Sequence, residues 1–132
     1  NAPKKRSAAA CKFIVFTDSA FDRNLLEVTQ VVKMFDEATS MLSQVLTAFE
    51  KEDTALARSV FKQDEALDNI NLQANSVIAD FIRKNPDKLE QALYILSTIR
   101  KLERVGDQAK NIAEEIIFYV EAKVLKHKKD KL

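Results

Sequence analysis

At 132 residues, 46% of them hydrophobic and 31% charged, the chain has the length of one domain. One glycine and two prolines supply too little turn chemistry for strands joined by tight hairpins, so the composition points to a few long helices with short connections. A formal net charge of +1 predicts no general affinity for nucleic acid or anionic membrane.

Cys11 is the sole cysteine, which excludes an intrachain disulfide and a cysteine metal site and suits a reducing cytoplasm. No apolar run approaches the roughly 20 residues of a membrane span, so no direct span is expected. Charge bias is confined to the ends: Lys4, Lys5 and Arg6, then Lys126, Lys128, Lys129 and Lys131.

Residues 1–17 pass from a basic start through three alanines to Phe13-Ile14-Val15-Phe16. They fit an N-terminal tail, a short strand, a strap over the core, or a remnant of a neighbouring domain. A signal-peptide reading is disfavoured, because Lys12 interrupts the apolar part and no clean cleavage site follows.

Asp18 and Ser19 suit a helix N-cap, and a first helix is expected from about Ser19 to Lys51. Its helical stripe is Leu25, Val28, Val32, Phe35, Leu42, Val45, Leu46 and Phe49, with Met34 and Met41 also at core spacing. Glu52-Asp53-Thr54 marks a turn, with Asp53 placed to cap a second helix from about Thr54 to Lys84. Leu56, Val60, Leu67, Ile70, Ala74, Val77, Ile78 and Phe81 form its stripe.

Asn85-Pro86-Asp87 ends that helix, since a residue before proline avoids helical backbone. A third helix is expected from about Asp87 to Lys126, with Leu102, Gly106, Ala109, Ala113, Ile116, Ile117 and Val120 facing inward. The fold class is therefore all-α: an antiparallel three-helix bundle over residues 18–127, spectrin-repeat-like, between a short irregular N-terminal segment and a basic C-terminal tail, 128–132.

Gly106 falls in the middle of the third helix, where glycine costs roughly 1 kcal/mol relative to alanine. The compensating gain is either close approach of another backbone or room beside nearby carboxylates. Those carboxylates have matched positions. Asp68 and Asp64 precede the Asn85–Pro86 turn by about 17 and 21 residues, and Glu103 and Asp107 follow it by about the same distances. In an antiparallel hairpin this sets Asp68 level with Glu103 and Asp64 level with Asp107.

Each pair is offset from its stripe by roughly 70–120° in the same sense, so the four acids should share one groove beside the core. Four carboxylates together must retain protons or attract positive charge. Arg100, Arg104 and Lys110 are near enough to supply it, and so is a cation bound by oxygen ligands, such as Mg²⁺, Ca²⁺, Mn²⁺ or iron. Acids four residues apart are also common on solvated helices, and from the residues alone both readings stand.

Leu102-Glu103-Arg104-Val105-Gly106-Asp107, followed by Asn111-Ile112-Ala113-Glu114, resembles the signature of the PhoU family. Ala48-Phe49, Asp53, Asp64 and Asp68 match the pattern ahead of that signature, and Phe118-Tyr119-Val120-Glu121 to His127 resembles the end of the family's second bundle. The resemblance covers about Leu25 to His127. It implies a non-enzymatic, cytoplasmic negative regulator of the phosphate response, linked to a phosphate ABC transporter ATPase and a sensor histidine kinase.

It further implies that Asp64, Asp68, Glu103 and Asp107 bind divalent or trivalent metal cations: iron, manganese, magnesium or zinc. Family members usually carry two bundles in tandem, and a single bundle favours a homo-oligomer. The cytoplasmic PhoU-like domain of a sodium–phosphate cotransporter is an alternative, as is a carboxylate-metal phosphohydrolase.

The remaining residues add little chemistry. His127 is the only histidine and lacks partners for a metal site, and the Glu-x-x-His motifs of di-iron bundle enzymes are absent. No nucleophile set or glycine-rich phosphate loop is present. Asn111 and Glu114 fit either an outer shell around the acids or ordinary packing at a helix edge. Tyr94 and Tyr119 read as core-edge aromatics.

Overall fold

The computed structural model describes residues 21–131, so the stretch 1–17 and the expected caps Asp18 and Ser19 lie outside the described residues. Among the described residues four α-helices follow one another: α1, Arg23–Thr29; α2, Val31–Lys51; α3, Thr54–Lys84; and α4, Leu89–Asp130. A 3-10 turn, Pro86–Lys88, joins the last two. There is no strand among the described residues. Helices α2, α3 and α4 pack against one another pairwise, so the expected three-helix bundle holds, with α1 as a short extension of the first rod lying against α3.

The first rod differs from expectation in being broken. Asp22 is its cap, accepting a 3.0 Å bond from the Leu25 amide. Gln30 then adopts a left-handed conformation, with φ of 56°, between α1 and α2. One residue earlier, the buried Thr29 hydroxyl donates to the Leu25 carbonyl at 2.7 Å, a back-bond of the kind that bends helices slightly.

The break changes which residues face inward. Leu25, Val31, Met34, Ala38, Met41, Val45 and Ala48 are buried, whereas Val28, Val32, Leu42, Leu46 and Phe49 are exposed. Two apolar stripes compete on this rod. The one carrying Ala38 and Ala48 lets neighbouring backbones come close, so the bulkier one is left outside. Met34 and Met41 lie in the core as expected, and Phe35 packs partly against it.

The later elements follow the sequence closely. Asp53 caps α3 by accepting from the Leu56 amide at 3.0 Å. Asn85, extended at φ −138° before Pro86, closes α3 through its amide to the Phe81 carbonyl at 2.9 Å. The α3 stripe gains Ala57 and Asp64, while Leu56 and Val77 sit at its edge. In α4, Ala92, Ile95 and Ile99 extend the expected stripe toward the turn.

Helix α4 is the longest, at 42 residues, and runs on through Asp130. Arg58–Glu121 at 2.5 Å and Lys123–Glu52 at 3.0 Å fix the part of α4 that stands level with the α2–α3 turn. Beyond Lys123 the helix continues with every side chain exposed. At the other end, Asp22 pairs with Lys88 and its amide donates to Gln91 Oε1 at 3.0 Å, tying α1 to the α3–α4 connection. No helix among the described residues is long and apolar enough to cross a membrane.

The left-handed Gln30 is exposed and its side chain makes no cap bond, so only backbone strain is at stake there. Gln30→Gly is expected to raise unfolding stability by about 0.5–1 kcal/mol, the relief of a left-handed L-residue less glycine's extra unfolded-state freedom. A higher urea midpoint at unchanged slope reads this out.

Candidate metal centre

Helix α3 delivers Asp64 and Asp68 one turn apart, and α4 delivers Asp107 beside them. One carboxylate oxygen from each of the three lies within 4.8 Å of the others. Their convergence follows from the antiparallel α3–α4 pairing, in which Asp64 stands level with Gly106, Asp107 and Lys110.

Asp64 departs most from expectation. Far from flanking the apolar stripe, it occupies it between Val60 and Leu67 and is only 3% exposed. Its Oδ1 is buried and has no hydrogen-bond partner. Its Oδ2 has a single ionic neighbour, the half-exposed Lys110 ammonium at 3.6 Å. Burial pushes the Asp64 carboxyl above the usual range, Asp68 and Asp107 push it further, and Lys110 opposes them.

Gly106 makes this burial possible. A Cβ there would stand 2.6 Å from Leu67 Cδ2 and 3.1 Å from Asp64 Oδ1. The compensating gain is therefore room for two α3 side chains, the carboxylate among them, and not backbone contact.

Glu103 falls outside the trio of oxygens, one turn away from Asp107. Its carboxyl is held above the usual range by burial, then by a hydrogen bond with Asp107 and by the charges of Asp107, Asp68 and Asp64. Glu103 thus belongs to the same electrostatic unit at its rim.

The expected counter-charges divide. Lys110 reaches the acids. Arg100 does not: its guanidinium donates to the Asn71 carbonyl at 3.0 Å, to the Asn71 side chain, and to Asn75 Oδ1 at 2.7 Å. These amide acceptors on α3, one and two turns beyond Asp68, outcompete the carboxylates by proximity. Arg104 and Glu114 are exposed, and Asn111 lines a groove shared with α2. Gln63, which the sequence did not single out, leaves its own Oε1 buried and without a hydrogen-bond partner among the described residues, while its amide nitrogen donates to Ser40 of α2 at 3.3 Å.

Chemically, Asp64, Asp68 and Asp107 form an all-oxygen donor set of hard, anionic ligands. Such a set suits Mg²⁺, Mn²⁺ or Fe³⁺ better than zinc, which is usually held by nitrogen and sulfur. A carboxylate oxygen that is buried and bonded to nothing is the kind of atom a cation satisfies.

Among the described residues the structure is an all-helical bundle with an acidic cluster between two neighbouring helices. The family model described as the PhoU domain matches residues 31–116. The chain belongs to the PhoU family.

The chain is similar to the phosphate-specific transport system accessory protein PhoU homolog of Pseudomonas putida, 30% identical over 92 residues, which are 70% of this chain and 36% of that protein. It is also similar to PhoU homolog 1 of Thermotoga maritima, 32% identical over 93 residues, 70% of this chain and 40% of that protein. The homolog of Borreliella burgdorferi is 34% identical over 86 residues, 65% of this chain and 39% of that protein. The chain thus spans well under half the length of these relatives. No solved structure matches it at a significant level.

Two outcomes are expected from this geometry. Asp64 and Glu103 titrate above their unfolded values, so the folded state holds more protons in the window between the ordinary and the raised values. Stability of the metal-free protein should therefore rise as pH falls from the raised values toward the ordinary carboxylate range, and be lost as pH rises through the raised values. Asp64→Asn should flatten that slope in melting curves. Asp22, held low by Lys88, has the opposite sign, but its contribution is lost only below the ordinary carboxylate range.

Gly106→Ala gains about 1 kcal/mol of helix propensity but forces Leu67 aside at a cost of about 1–3 kcal/mol, for a net loss of about 1 kcal/mol. Denaturant unfolding of the variant measures the difference.

Proposed function

We propose that this bundle is a PhoU-type regulator of phosphate uptake and phosphate-starvation signalling that works through protein contacts and not through catalysis. Its family supports this, as do the relatives named as accessory proteins of phosphate-specific transport. In this reading the protein is cytoplasmic and acts negatively, with a phosphate ABC transporter ATPase and a sensor histidine kinase as its partners.

The same reading gives the acidic cluster a cation. Asp64, Asp68 and Asp107 hold it, and Glu103 tunes it from the rim. The observation that carries this is the buried, unpartnered Asp64 oxygen beside two further carboxylates. A bound cation would replace the missing partner, cancel the mutual repulsion and lock α3 to α4. Its role would be structural and regulatory: it sets the spacing of two helices whose outer faces are available to partners.

Two experiments test the parts separately. Titration of Mn²⁺, Mg²⁺ or Fe³⁺ into chelator-treated protein should raise the melting temperature with concentration, as for any ligand of the folded state. Asp64→Asn should show the reverse pattern: a higher melting temperature without metal, because a buried charge is gone, and no further rise with metal. An equal metal response in the variant and the parent would remove the cation from the reading. The regulatory role is tested by a phosphate-starvation reporter in cells lacking the gene. Loss of repression in phosphate-replete medium is expected, and an unchanged reporter would refute it.

A further inference from the structure

The bundle face between α2 and α4 carries two apolar rows that no described helix covers. On α2, Phe35, Leu42 and Phe49 stand seven residues apart, with Leu46 beside them. On α4, Val105, Ile112 and Tyr119 repeat the same interval. Two hydrogen bonds fix how the rows meet. Asp22 to Gln91 and Lys123 to Glu52 join residues 69 and 71 apart in sequence, so the parallel helices α2 and α4 are in register at an offset of about 70. Phe35 is then level with Val105, Leu42 with Ile112, and Phe49 with Tyr119. Seven residues are two helical turns, about 10.5 Å, and the three apolar layers span about 21 Å.

The first layer, Phe35 and Val105, is packed partly against the core. Further along, Leu46, Phe49 and Tyr119 are 65%, 68% and 60% exposed, and the surface opens there into a groove of about 790 Å³ that Ile112 and Ile116 also line. At 100° per residue, Leu42 and Leu46 fall between Phe49 and Glu50, both of which line the groove, so they form its continuation along α2. Its polar lining is acidic: Glu50, Glu52 and Glu115, with no lysine or arginine. Lys123 answers Glu52 at 3.0 Å, whereas Glu50 and Glu115 have no ion pair among the described residues.

We infer that this groove is the docking site for an amphipathic helix of another protein, one whose bulky apolar residues recur in heptads and whose first turns carry lysine or arginine. The seven-residue repeat of both walls sets the form of the occupant. A helix laid between them meets one apolar layer every two turns, as a fourth helix completes a four-helix bundle. Charge and direction set the rest. Because α2 and α4 run parallel, an antiparallel occupant opposes both of their dipoles and brings its own N-terminus to the Glu50 and Glu115 end. Bases in its first turns then face those two glutamates. The exposed end of α4 beyond Lys123 carries Lys126, Lys128 and Lys129 at its C-terminal side, so a second copy would enter the groove the wrong way round. The carboxylate cluster lies on the α3 side of α4, so this inference stands whether or not the cluster binds a cation, and the binding assay below can fail while the phosphate reporter succeeds.

The probe is a fluorescein-labelled synthetic peptide of about 18 residues, long enough to cover all three layers as a helix, with Leu and Ile at heptad a and d positions and lysines in its first two turns. Fluorescence anisotropy against the full 132-residue chain should give a Kd of about 10–100 μM. The same peptide with glutamates in place of the lysines should bind about tenfold more weakly or worse. A Glu50→Lys, Glu115→Lys variant should reverse that preference. Leu46→Asp should weaken the lysine peptide by about tenfold or more, with circular dichroism unchanged because Leu46 is exposed.

A lysine peptide that binds no better than the glutamate peptide overturns the inference, and so does binding that Leu46→Asp leaves untouched. A thiol at the groove reports any other occupant. In a Cys11→Ser background, Phe49→Cys should react with a maleimide at the rate of an exposed cysteine and be protected by saturating lysine peptide. Protection without peptide means that the chain itself or a second copy already fills the groove, and that result overturns the inference as well.

Discussion

The structure turns on one carboxylate inside a helical core. Asp64 sits where the α3 stripe calls for an apolar residue, and its Oδ1 touches no donor. Placing an ionised group there is costly unless it is paired, and a single lysine at 3.6 Å is a weak answer to three neighbouring carboxylates. The rest of the α3–α4 interface is arranged around that residue. Gly106 gives up helix propensity to make room, Leu67 fills the space beside it, and burial with the neighbouring carboxylates holds the Glu103 carboxyl above its usual range at the edge. A bundle selected for stability alone would place a leucine or an alanine at position 64. A carboxylate at position 64 is the place where this fold gives up stability.

The readability of this architecture varied along the chain for physical reasons. Helices α3 and α4 and their connection were legible because punctuation and periodicity agree there: Asp53 caps, Pro86 interrupts, and one stripe dominates each helix. The first rod was not, because it carries two stripes of similar hydrophobic content. Phe49, Leu46 and Leu42 dominate any count weighted by side-chain size, yet the alanine-bearing face lies inward. What decides between them is how closely the backbones approach, a property of three helices together. The break at Gln30 has a local cue in the Thr29 back-bond, but threonines at similar positions, such as Thr39 and Thr47, make the same bond within an unbroken α2.

For the candidate centre, spacing carried the essential information. Equal distances from the Asn85–Pro86 turn set Asp64 at the height of Asp107, and that arithmetic needs no side-chain detail. Depth was a different matter. Whether an acid at the edge of a stripe points into the core or out to water depends on the opposing residue, here a glycine. The placement of Gly106 level with Asp64 is the available cue, and from the sequence it fits either close approach of another backbone or room beside the carboxylates. Arg100 shows the converse. A cation close in sequence to the acids is drawn off by Asn71 and Asn75, because hydrogen bonds follow the nearest acceptor.

Helix α4 brings these properties together. One flank presents Asp107 and Lys110 to α3, its stripe fills the core, and its other flank lines the groove shared with α2. A helix with several occupied faces transmits whatever happens on one of them, because it is stiff over many turns. Drawing Asp107 toward α3 by neutralising the cluster would rotate or shift α4 as a unit, and Val105, Ile112 and Tyr119 would move with it.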